Sequence, residues 1–338
     1  MPVLPADVVD ALVRMGLVRP GVVPVAEALA GGVSSEIYRV ATDRGPLCVK
    51  RALARLKVAA VWEAPVERNR YERAWLELAA RVVPGSVPEV VAHDDQAGLF
   101  AMTYLDPTDH PVWKSELRDG RVDAAFAASV GDRLGLVHAA TADRVGLADA
   151  FPTAALFAAL RLDPYLAAAA AAHPALAPRL HDLYRRTAAT RRVLVHGDVS
   201  PKNILVGPHG PVLLDAECAT VGDPAFDLAF CANHLLLKCR WRPAHRHAYL
   251  GALDALAGAY LARVDWEPAA NVEERAASLL PALLLARIDG TSPVEYLDDA
   301  RRAQVRTVAM AVLAGPPPTT IAQVVDVWRA AGEGAAWR

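Results

Sequence analysis

Residues 196–203 have the sequence His-Gly-Asp-Val-Ser-Pro-Lys-Asn, and Asp-Ala-Glu follows at 215–217, twelve residues after Asn203. Asp198 lies just after a short apolar run, Asn203 opens a second run, and Asp215 ends a third. Apolar runs divided by Gly and Pro predict short strands joined by turns. We therefore expect the three polar side chains to converge at one end of a β-hairpin. The runs are residues 193–195, 204–206 and 212–214.

These three side chains have the chemistry that phosphoryl transfer requires. In that reaction a protein mainly positions the reactants, accepts the hydroxyl proton and neutralises charge through Mg²⁺. Carboxylate and amide oxygens are the ligands that this hard cation prefers. Asp198 is accordingly the candidate base, and Asn203 and Asp215 are candidate metal ligands. Each residue alone has an ordinary structural alternative, such as a turn cap or a hairpin end, but the three together favour the catalytic interpretation.

The first hundred residues predict a small antiparallel sheet with one inserted helix. Glycine-containing turns separate short runs rich in Val, Ile and Tyr, and one stretch has apolar residues at helical spacing. A further short helix precedes the sheet. The predicted strands are 25–30, 36–41, 46–52, 87–92 and 98–105, and the predicted helices are 7–17 and 65–82.

Lys50 on the third predicted strand complements the downstream motif. Alternation places Cys48 and Lys50 on one face of that strand. A strand lysine that holds donor phosphates needs a carboxylate on the following helix, and Glu72 lies at a suitable place in that helix, with Glu63 and Glu67 as alternatives. A solvated edge lysine is the ordinary alternative, and it is the downstream motif that favours a nucleotide-binding role for Lys50 and Glu72.

Two further segments are candidates for nucleotide contact. Residues 30–35, Ala-Gly-Gly-Val-Ser-Ser, form a predicted turn whose amides and the hydroxyls of Ser34 and Ser35 can cover phosphates, or which is a plain hairpin turn. The strand that ends at Leu105 offers the backbone of Thr103 and Leu105 to a purine edge. The chain has no G-x-x-x-x-G-K-[ST] sequence, so a P-loop is excluded.

Beyond Asp106 the pattern becomes mainly helical. The organisation predicted is a strand-rich N-terminal lobe over 1–105 and a helical C-terminal lobe over 106–338, with ligands expected in the cleft between such domains. The predicted helices are 123–141, 153–171, 176–191, 225–239, 244–263, 271–288, 299–312 and 319–331.

Composition limits the class of protein. The 338 residues carry 36 Lys and Arg against 38 Asp and Glu, and 54% of residues are hydrophobic, which is typical of a folded protein without a nucleic-acid surface. The four cysteines are too few for a disulfide framework and predict reduced thiols in a cytoplasmic protein. We expect no membrane span, because no uninterrupted apolar stretch reaches ~18 residues, and no secretion signal.

The residues quoted above resemble the aminoglycoside phosphotransferase and choline-kinase-like family of small-molecule kinases. The resemblance covers roughly residues 25–300 and includes Gly-Asp-Pro-Ala-Phe-Asp-Leu-Ala at 222–229. It implies an α+β, bilobal protein-kinase-like fold, with an antiparallel-sheet N-lobe and a mainly helical C-lobe. It also implies ATP or GTP as the donor, Mg²⁺, and Asp227 as a support of the catalytic loop. Many family members have histidine where Ser200 stands and asparagine where Ser35 stands.

The acceptor is expected to be a small molecule bound by the helical lobe. Only eleven residues separate Asp215 from Asp227, which leaves no room for the long segment with which protein kinases dock peptides. From Arg240 to Arg338 eleven arginines balance eleven acidic residues, which favours a neutral or anionic acceptor over a polycation. The candidate acceptor-binding residues are Ser200, Lys202, His234, Lys238, Arg287 and Asp289.

Alternatives exist for these acceptor candidates. Arg287 can instead stabilise the end of a helix that stops at Gly290, and Ser292 with Glu295 has the spacing of a capping box for a following helix. His234 and Lys238 can lie on a solvated helix face.

Together these features predict a cytoplasmic O-phosphotransferase, monomeric or homodimeric. Its acceptor is expected to be an antibiotic of aminoglycoside or nucleoside type, such as a capuramycin, which makes the protein a resistance enzyme. A metabolic kinase for a sugar, choline or homoserine is the alternative. A non-catalytic nucleotide-binding pseudokinase is the alternative of another class.

Overall fold

A computed structural model describes residues 4–29, 35–53 and 65–333 of the chain. The chain divides into two compact units. The first comprises the described residues up to His110 together with Val212–Glu217, and the second comprises Pro111–Pro211 and the described residues from Cys218 onward. Each unit is described by itself.

The first unit contains an antiparallel five-stranded sheet with strand order β1-β2-β3-β5-β4. The predicted strands and both predicted helices are present, with ends that shift by a few residues. A bulge between Val90 and Ala92 interrupts the pairing of β4 with β5. The elements are α1 (Ala6–Arg14), β1 (Ala26–Ala28), β2 (Ser35–Thr42), β3 (Gly45–Ala52), α2 (Arg68–Val82), β4 (Val90–Asp94) and β5 (Leu99–Thr103).

One hydrophobic cluster holds α1 against this sheet. Val8 and Leu12 of α1 are buried with Val40 and Val49 of the sheet. The helix can present an apolar face because its hydrophobic residues recur at three- and four-residue spacing. Burial of side chains of this size stabilises a fold by about 1.5–3 kcal/mol each, so this packing fixes the sheet that carries Lys50.

The second unit is mainly helical, as the sequence predicts. Its helices are α3 (Trp113–Arg118), α4 (Ala124–Thr141), α5 (Leu147–Ala150), α6 (Ala154–Phe157), α7 (Ala168–Ala172), α8 (Ala177–Ala189), α9 (Pro224–Trp241), α10 (Arg246–Leu261), α11 (Ala269–Asp289), α12 (Asp299–Ala314) and α13 (Ile321–Glu333). The second unit also contains single 3₁₀ turns at Pro174–Leu176, Pro201–Asn203 and Pro243–His245.

Short strands lie on either side of the sequence motif. β6 (Val193–Val195) pairs antiparallel with β9 (Thr220–Gly222), a strand that the sequence analysis did not predict. β7 (Ile204–Gly207) and β8 (Gly210–Leu213) form the predicted hairpin. The chain leaves the second unit within β8, after Pro211.

Helix α9 is the buried centre of the second unit. All of its residues except Trp241 are buried. A helix that is buried all round needs partners on every side, and α10 and α11 are among those that supply them. Polar side chains on such a helix are costly unless they are paired or functional. The buried polar side chains of α9 are Asp227, Asn233, His234, Lys238 and Arg240.

Helices α4 and α10 approach each other closely at a glycine. A Cβ atom at Gly131 would overlap the backbone carbonyl oxygen of Leu256 and approach the Tyr260 nitrogen to 3.1 Å. Only glycine therefore permits this backbone approach.

The predicted helix over 153–171 has an unexpected middle. Residues Ala158–Ala167 form a π-helix that contains Pro164 and joins α6 to α7. By length and composition Ala154–Ala172 passes a test for a membrane-crossing helix, with a mean hydropathy of 1.3 and half of its window buried inside the protein. The sequence analysis missed this stretch because Arg161 and Asp163 interrupt it. A single such helix is also what the core of a soluble protein supplies, so it is weak evidence for a membrane.

The capping box predicted at Ser292 is wrong. Helix α11 ends before Gly290 as expected, but α12 begins only at Asp299, and residues 291–298 form no helix. Ser292 instead accepts hydrogen bonds from Arg287 through both its hydroxyl and its carbonyl oxygen. The Arg287 side chain extends from α11 to the loop and donates to the Ser292 oxygens, so Ser292 does not act as a helix cap.

Candidate active site

Lys50 of the first unit is buried and lies at the centre of an ion-paired triad. Register places it opposite Ile37 on β2 and Phe100 on β5, and it is 3% exposed. Its Nζ atom lies 2.7 Å from Glu72 Oε1 and 2.5 Å from Asp215 Oδ1. The pairing with Glu72 predicted from the sequence is therefore present, and Asp215 joins it.

The charges of this triad compensate one another. Burial alone would lower the pKa of Lys50, but the carboxylates of Asp215 and Glu72 outweigh it and raise that pKa. Burial raises the pKa of Glu72, and the Lys50 ammonium opposes that shift. Glu72 Oε2 is buried and, among the described residues, has no hydrogen-bond partner. The ammonium between two carboxylates makes the ion pair the state that this geometry favours.

The segment that carries Asp215 is fixed to the first unit at several points. Leu213 N donates to Ser86 O at 2.7 Å, and Arg68 Nε donates to Glu217 Oε2 at 3.0 Å. Asp215 itself has a φ of +67°, in the left-handed region that non-glycine residues rarely adopt. Such strain persists where the surrounding structure determines it and is common at functional sites.

Arg68 was not singled out by the sequence analysis. It is 1% exposed, and besides Glu217 it donates to the carbonyl oxygens of Pro65 and Leu53 at 2.8 and 2.6 Å. Its position on the first turn of α2 made it indistinguishable from a surface arginine. In the sequence, the sign of such a pairing was Glu217 itself, an acidic residue close to Asp215 that needs a cationic partner if it is buried.

In the second unit, Asp198 is held by three nitrogen donors. Its Oδ2 atom lies 2.9 Å from the Arg161 guanidinium, 3.1 Å from Lys202 Nζ and 2.8 Å from Asn203 Nδ2. Asn203 also donates to the Asp198 carbonyl oxygen at 3.1 Å. Asp198 is 4% exposed, and these contacts to Oδ2 orient its carboxylate.

Arg161 is the principal site residue that the sequence analysis missed. It projects from the π-helix, and its Nε also donates to Gly197 O at 2.6 Å. π-Helical segments often occur at functional sites. The available signal was a charged residue inside an apolar helical stretch, which is costly to bury without a partner.

Asp227 fixes the loop that carries Asp198. Its carboxylate accepts from His196 N at 2.7 Å and from Gly197 N at 2.9 Å, and it is fully buried. His138 Nε2 lies 3.3 Å from the same carboxylate. Gly197 has a φ of +78°, and a Cβ atom there would lie 2.7 Å from Cys218 O, so this turn requires glycine.

Some of the remaining nucleotide-binding candidates lie among the described residues and some lie outside them. Ser34 and the glycines of the predicted turn lie outside the described residues, as does Glu63. Ser35 opens β2 with a buried hydroxyl that has no partner among described residues. Thr103 N–H donates to Glu89 O at 2.9 Å, and the contact of the Thr103 backbone with a purine stays a prediction. Leu105 follows β5 in the half-buried loop and remains a candidate.

The predicted acceptor-binding residues all lie in the second unit. Some of them pair with other side chains, and some are buried. Asp289 is engaged by Arg306 at 2.6 Å and by His173 at 2.8 Å, which makes it part of a structural ion-pair cluster. His234 and Lys238 are buried on α9 rather than on a solvated face. Arg287 donates to Tyr165 Oη at 3.3 Å as well as to Ser292. Ser200 is fully buried, and Lys202 contacts Asp198.

The candidate metal ligands are oxygen donors. Asn203 belongs to the second unit and Asp215 to the first. In the part of the chain that the structure describes, no group of three or more His, Cys, Asp or Glu side chains is arranged to hold a metal ion. A carboxylate and an amide oxygen are donors of the kind that suit a divalent cation, which takes its remaining ligands from water and phosphates.

Comparisons with known proteins bear on the family to which the chain belongs. The model of the phosphotransferase enzyme family matches residues 25–259. A methylthioribose kinase of Pectobacterium atrosepticum is 26% identical over 251 residues, which are 66% of this chain and 62% of the relative. The chain thus aligns with less than two thirds of that curated relative's length.

Two solved structures have a similar fold. A choline/ethanolamine kinase family protein from Mesorhizobium loti gives a TM-score of 0.51 at 15% identity, over 96% of this chain and 99% of the other. The amicoumacin kinase hAmiN in complex with AMP-PNP and Ca²⁺ gives a TM-score of 0.52 at 12% identity, over 90% and 87% of the two chains. These likenesses confirm the predicted α+β protein-kinase-like fold class.

The chain therefore belongs to the phosphotransferase enzyme family, whose model spans most of it. The resemblance drawn from the motif at 196–203 is confirmed.

Proposed function

We propose that this protein transfers the terminal phosphate of a nucleoside triphosphate to a hydroxyl group of a small molecule. The observation that carries the proposal is the ion-paired triad of Lys50, Glu72 and Asp215, of which Lys50 and Glu72 are buried, in a chain that belongs to the phosphotransferase enzyme family. A lysine ammonium held by a helix carboxylate is the arrangement with which protein kinases fix donor phosphates. The Glu72 carboxylate would keep Lys50 charged and oriented.

Asp198 is proposed to act as the base of the transfer. Its carboxylate accepts the acceptor's hydroxyl proton while the oxygen forms a bond to the terminal phosphorus. The bond from that phosphorus to the bridging oxygen breaks, and the nucleoside diphosphate leaves with the electron pair. Arg161, Lys202 and Asn203 orient the carboxylate through the contacts described above. Positioning of this kind is the main contribution that a protein makes to phosphoryl transfer.

A divalent cation, which we propose to be Mg²⁺, would be held by Asn203 and Asp215. When bound, such a cation neutralises the charge of the donor phosphates. ATP is the proposed donor, supported by the AMP-PNP complex of the structurally similar amicoumacin kinase, with GTP as the alternative. The backbone of Leu105 is proposed to pair with the purine.

For the acceptor, the methylthioribose kinases among the relatives favour a sugar-like hydroxyl. This supports the metabolic sugar-kinase alternative over choline and homoserine. An antibiotic with a sugar or nucleoside part, and hence a resistance role, remains a proposal that rests on composition, on the charge balance of the acceptor-binding lobe and on the family resemblance. A cytoplasmic location is proposed from the four buried free cysteines.

Nucleotide binding tests the donor half of the proposal. AMP-PNP with Mg²⁺ should raise the melting temperature of the wild type in a concentration-dependent way, because a ligand stabilises the state it binds. Lys50→Met should weaken that binding by roughly tenfold or more, since charge-assisted contacts to phosphate are strong. The exposed Arg44→Met in the same unit is the matched control and should leave the shift unchanged.

Two results would contradict the donor role. If AMP-PNP does not raise the melting temperature of the wild type, the protein does not bind the nucleotide. If AMP-PNP raises the melting temperature of Lys50→Met as much as that of the wild type, Lys50 does not contact the nucleotide. A normal nucleotide shift without any turnover of a broad acceptor panel would instead favour the pseudokinase.

A further inference from the structure

Four cations of the second unit act electrostatically on His234, and one of them, Lys202, belongs to the catalytic loop. The charges of Arg287, Lys238, Lys202 and Lys114 all act on the His234 ring and, with burial as the largest cause, hold its pKa well below the usual value. Lys202 is the cation that also contacts Asp198 at 3.1 Å. The cluster therefore reaches the carboxylate that we propose as the base. We call Lys114, Lys202, Lys238 and Arg287 the basic cluster.

Aromatic rings line the basic cluster. Lys238 Nζ lies 4.9 Å from the Tyr296 ring centre and 5.2 Å from that of Trp241. Arg287 stands over the Tyr165 ring at 5.8 Å. The Tyr296 hydroxyl is buried and has no hydrogen-bond partner among the described residues. The site thus combines positive charge, ring faces and an unused hydroxyl.

The carboxylates near the basic cluster do not balance it. Glu295 is paired with Lys114 at 2.5 Å, and Asp198 is shared by Lys202 and Arg161. Lys238 and Arg287 have no carboxylate within ion-pair distance among the described residues. Lys238 is 1% exposed, and a buried cation without an anion is costly to a fold. Desolvated cation–π contacts recover about 2 kcal/mol or more, which offsets only part of the several kcal/mol that desolvation of an ion costs.

Resting on the proposed function, we propose that the acceptor carries an anionic group, a carboxylate or a phosphate, which Lys238 and Arg287 bind. Lys114 would supply the outer edge of this subsite, and the Tyr296 hydroxyl would donate a hydrogen bond to the anion. Polycationic aminoglycosides and choline are then excluded as acceptors by repulsion. Neutral methylthioribose would leave both cations unpaired, so this chain differs from its curated relatives in substrate.

The position of the subsite also orients the acceptor. Because Lys202 belongs to both the basic cluster and the surroundings of Asp198, an acceptor anchored by its anion would present a nearby hydroxyl to the base. Anchoring of a non-reacting group is a means by which enzymes gain rate as well as affinity. The subsite therefore acts in specificity and in positioning.

Anion binding by the full-length protein tests the inference without knowledge of the acceptor. Inorganic phosphate and acetate, titrated at constant ionic strength, represent the two anion classes, and melting temperature is measured. At least one of them should stabilise the wild type. Lys238→Met and Arg287→Gln should weaken that effect by roughly tenfold or more. The exposed Arg185→Met on α8 removes a cation outside the basic cluster and should leave the effect unchanged.

A turnover arm uses matched acceptors that differ only in the anion. D-Glucuronate and D-glucose 6-phosphate are compared with neutral D-glucose, and release of nucleoside diphosphate is measured. If the protein turns over these acceptors at different rates, we expect it to prefer the acidic sugars over D-glucose. Lys238→Met should reduce that preference by raising KM for the acidic sugar. Lys114→Met, which lies at the exposed edge, provides a second variant in case a buried substitution changes the fold.

The outcomes separate the two proposals. No stabilisation of the wild type by either anion, or equal stabilisation of Lys238→Met, would overturn the anionic subsite. Preferential turnover of a neutral or cationic acceptor would overturn it as well. Stabilisation by anion that is lost in Lys238→Met, without any response to AMP-PNP, would leave the subsite standing and reject the phosphotransferase proposal.

Discussion

At the scale of single residues, the motif that decides the fold is also the one whose geometry could be predicted. The spacing of Asp198, Asn203 and Asp215 placed each at the end of a strand or on a loop, and the hairpin is present. Lys50 and Glu72 were paired correctly because strand alternation and helix position restrict where they can lie. Arg161 and Arg68 could not be found in this way, since their partners are distant in sequence and only tertiary packing brings them together.

Asp227 offers a test of how the loop around Asp198 is supported. Asp227→Asn keeps the shape of the side chain but replaces one acceptor of the hydrogen bonds from His196 and Gly197. Because these donors are buried, we expect a loss of about 1–3 kcal/mol in the free energy of unfolding. Activity should fall further than nucleotide affinity.

Chemical denaturation measures the free energy of unfolding of Asp227→Asn. The exposed Asp265→Asn in the same unit is the control and should change it by less than about 0.5 kcal/mol. Equal stability of the two variants would show that Asp227 does not hold the loop.

Lys238 should give the stability of the protein a recognisable pH dependence. Burial, with Lys114 and Arg287 adding to it and Glu295 opposing, lowers the pKa of Lys238 to about 7. The unfolded chain keeps this pKa near the ordinary lysine value of about 10.4. Between these values the unfolded state binds a proton that the folded state does not. The contribution of Lys238 to the free energy of unfolding therefore rises with pH, by at most about 1.4 kcal/mol per pH unit.

Comparison with Lys238→Met isolates this contribution from other titrating groups, among them His234, Lys202 and Tyr296 near the same side chain. The variant should be more stable than the wild type below pH 7, and its advantage should shrink as the pH rises toward 10. Denaturation across that range measures the difference. A difference that does not change with pH would contradict the burial of a titrating lysine.

At the scale of elements, hydrophobic periodicity predicted most helices because each has a single apolar face or a long apolar run. It did not distinguish α9, which is buried all round, from an ordinary surface helix. It also gave no sign that residues 158–167 form a π-helix, because that geometry depends on Pro164 and on packing against distant segments such as Thr291, which donates to Pro164 O at 2.9 Å. Strand β9 was missed because three residues are too few for a pattern.

The packing of α4 against α10 can be tested with two matched glycine substitutions. Gly131→Ala would drive a Cβ atom into the Leu256 carbonyl, and the forced separation of the helices should destabilise the protein by about 1–3 kcal/mol. Gly251 is an exposed residue of α10, and the Cβ atom of Gly251→Ala meets no atom within 4 Å. Because alanine favours helix over glycine, that variant should gain up to about 1 kcal/mol.

Thermal or chemical denaturation of both variants provides the measurement. Opposite signs are the expected result. A stable Gly131→Ala would mean that the two helices can separate at no cost.

At the scale of the whole molecule, sequence motifs were sufficient to predict the family and the fold class, whereas the prediction of an antibiotic acceptor did not follow from those motifs. The motif residues are local and close together in the chain. The acceptor candidates are scattered over α9, α11 and the segments between, and composition alone showed a balance of charge. In the structure, four cations from separate parts of the chain, Lys114, Lys202, Lys238 and Arg287, act on His234, while acidic residues such as Asp289 are paired elsewhere.

The central claim is that Asp198 is the base of a phosphotransferase, and turnover of the nucleotide tests it most directly. Release of nucleoside diphosphate by the wild type with Mg²⁺ and the acceptor panel is compared with that of Asp198→Asn, with Asp265→Asn as the control. We expect Asp198→Asn to lower kcat by roughly 10²–10⁴-fold while AMP-PNP binding is retained. Wild-type turnover that Asp198→Asn leaves unchanged would contradict the account.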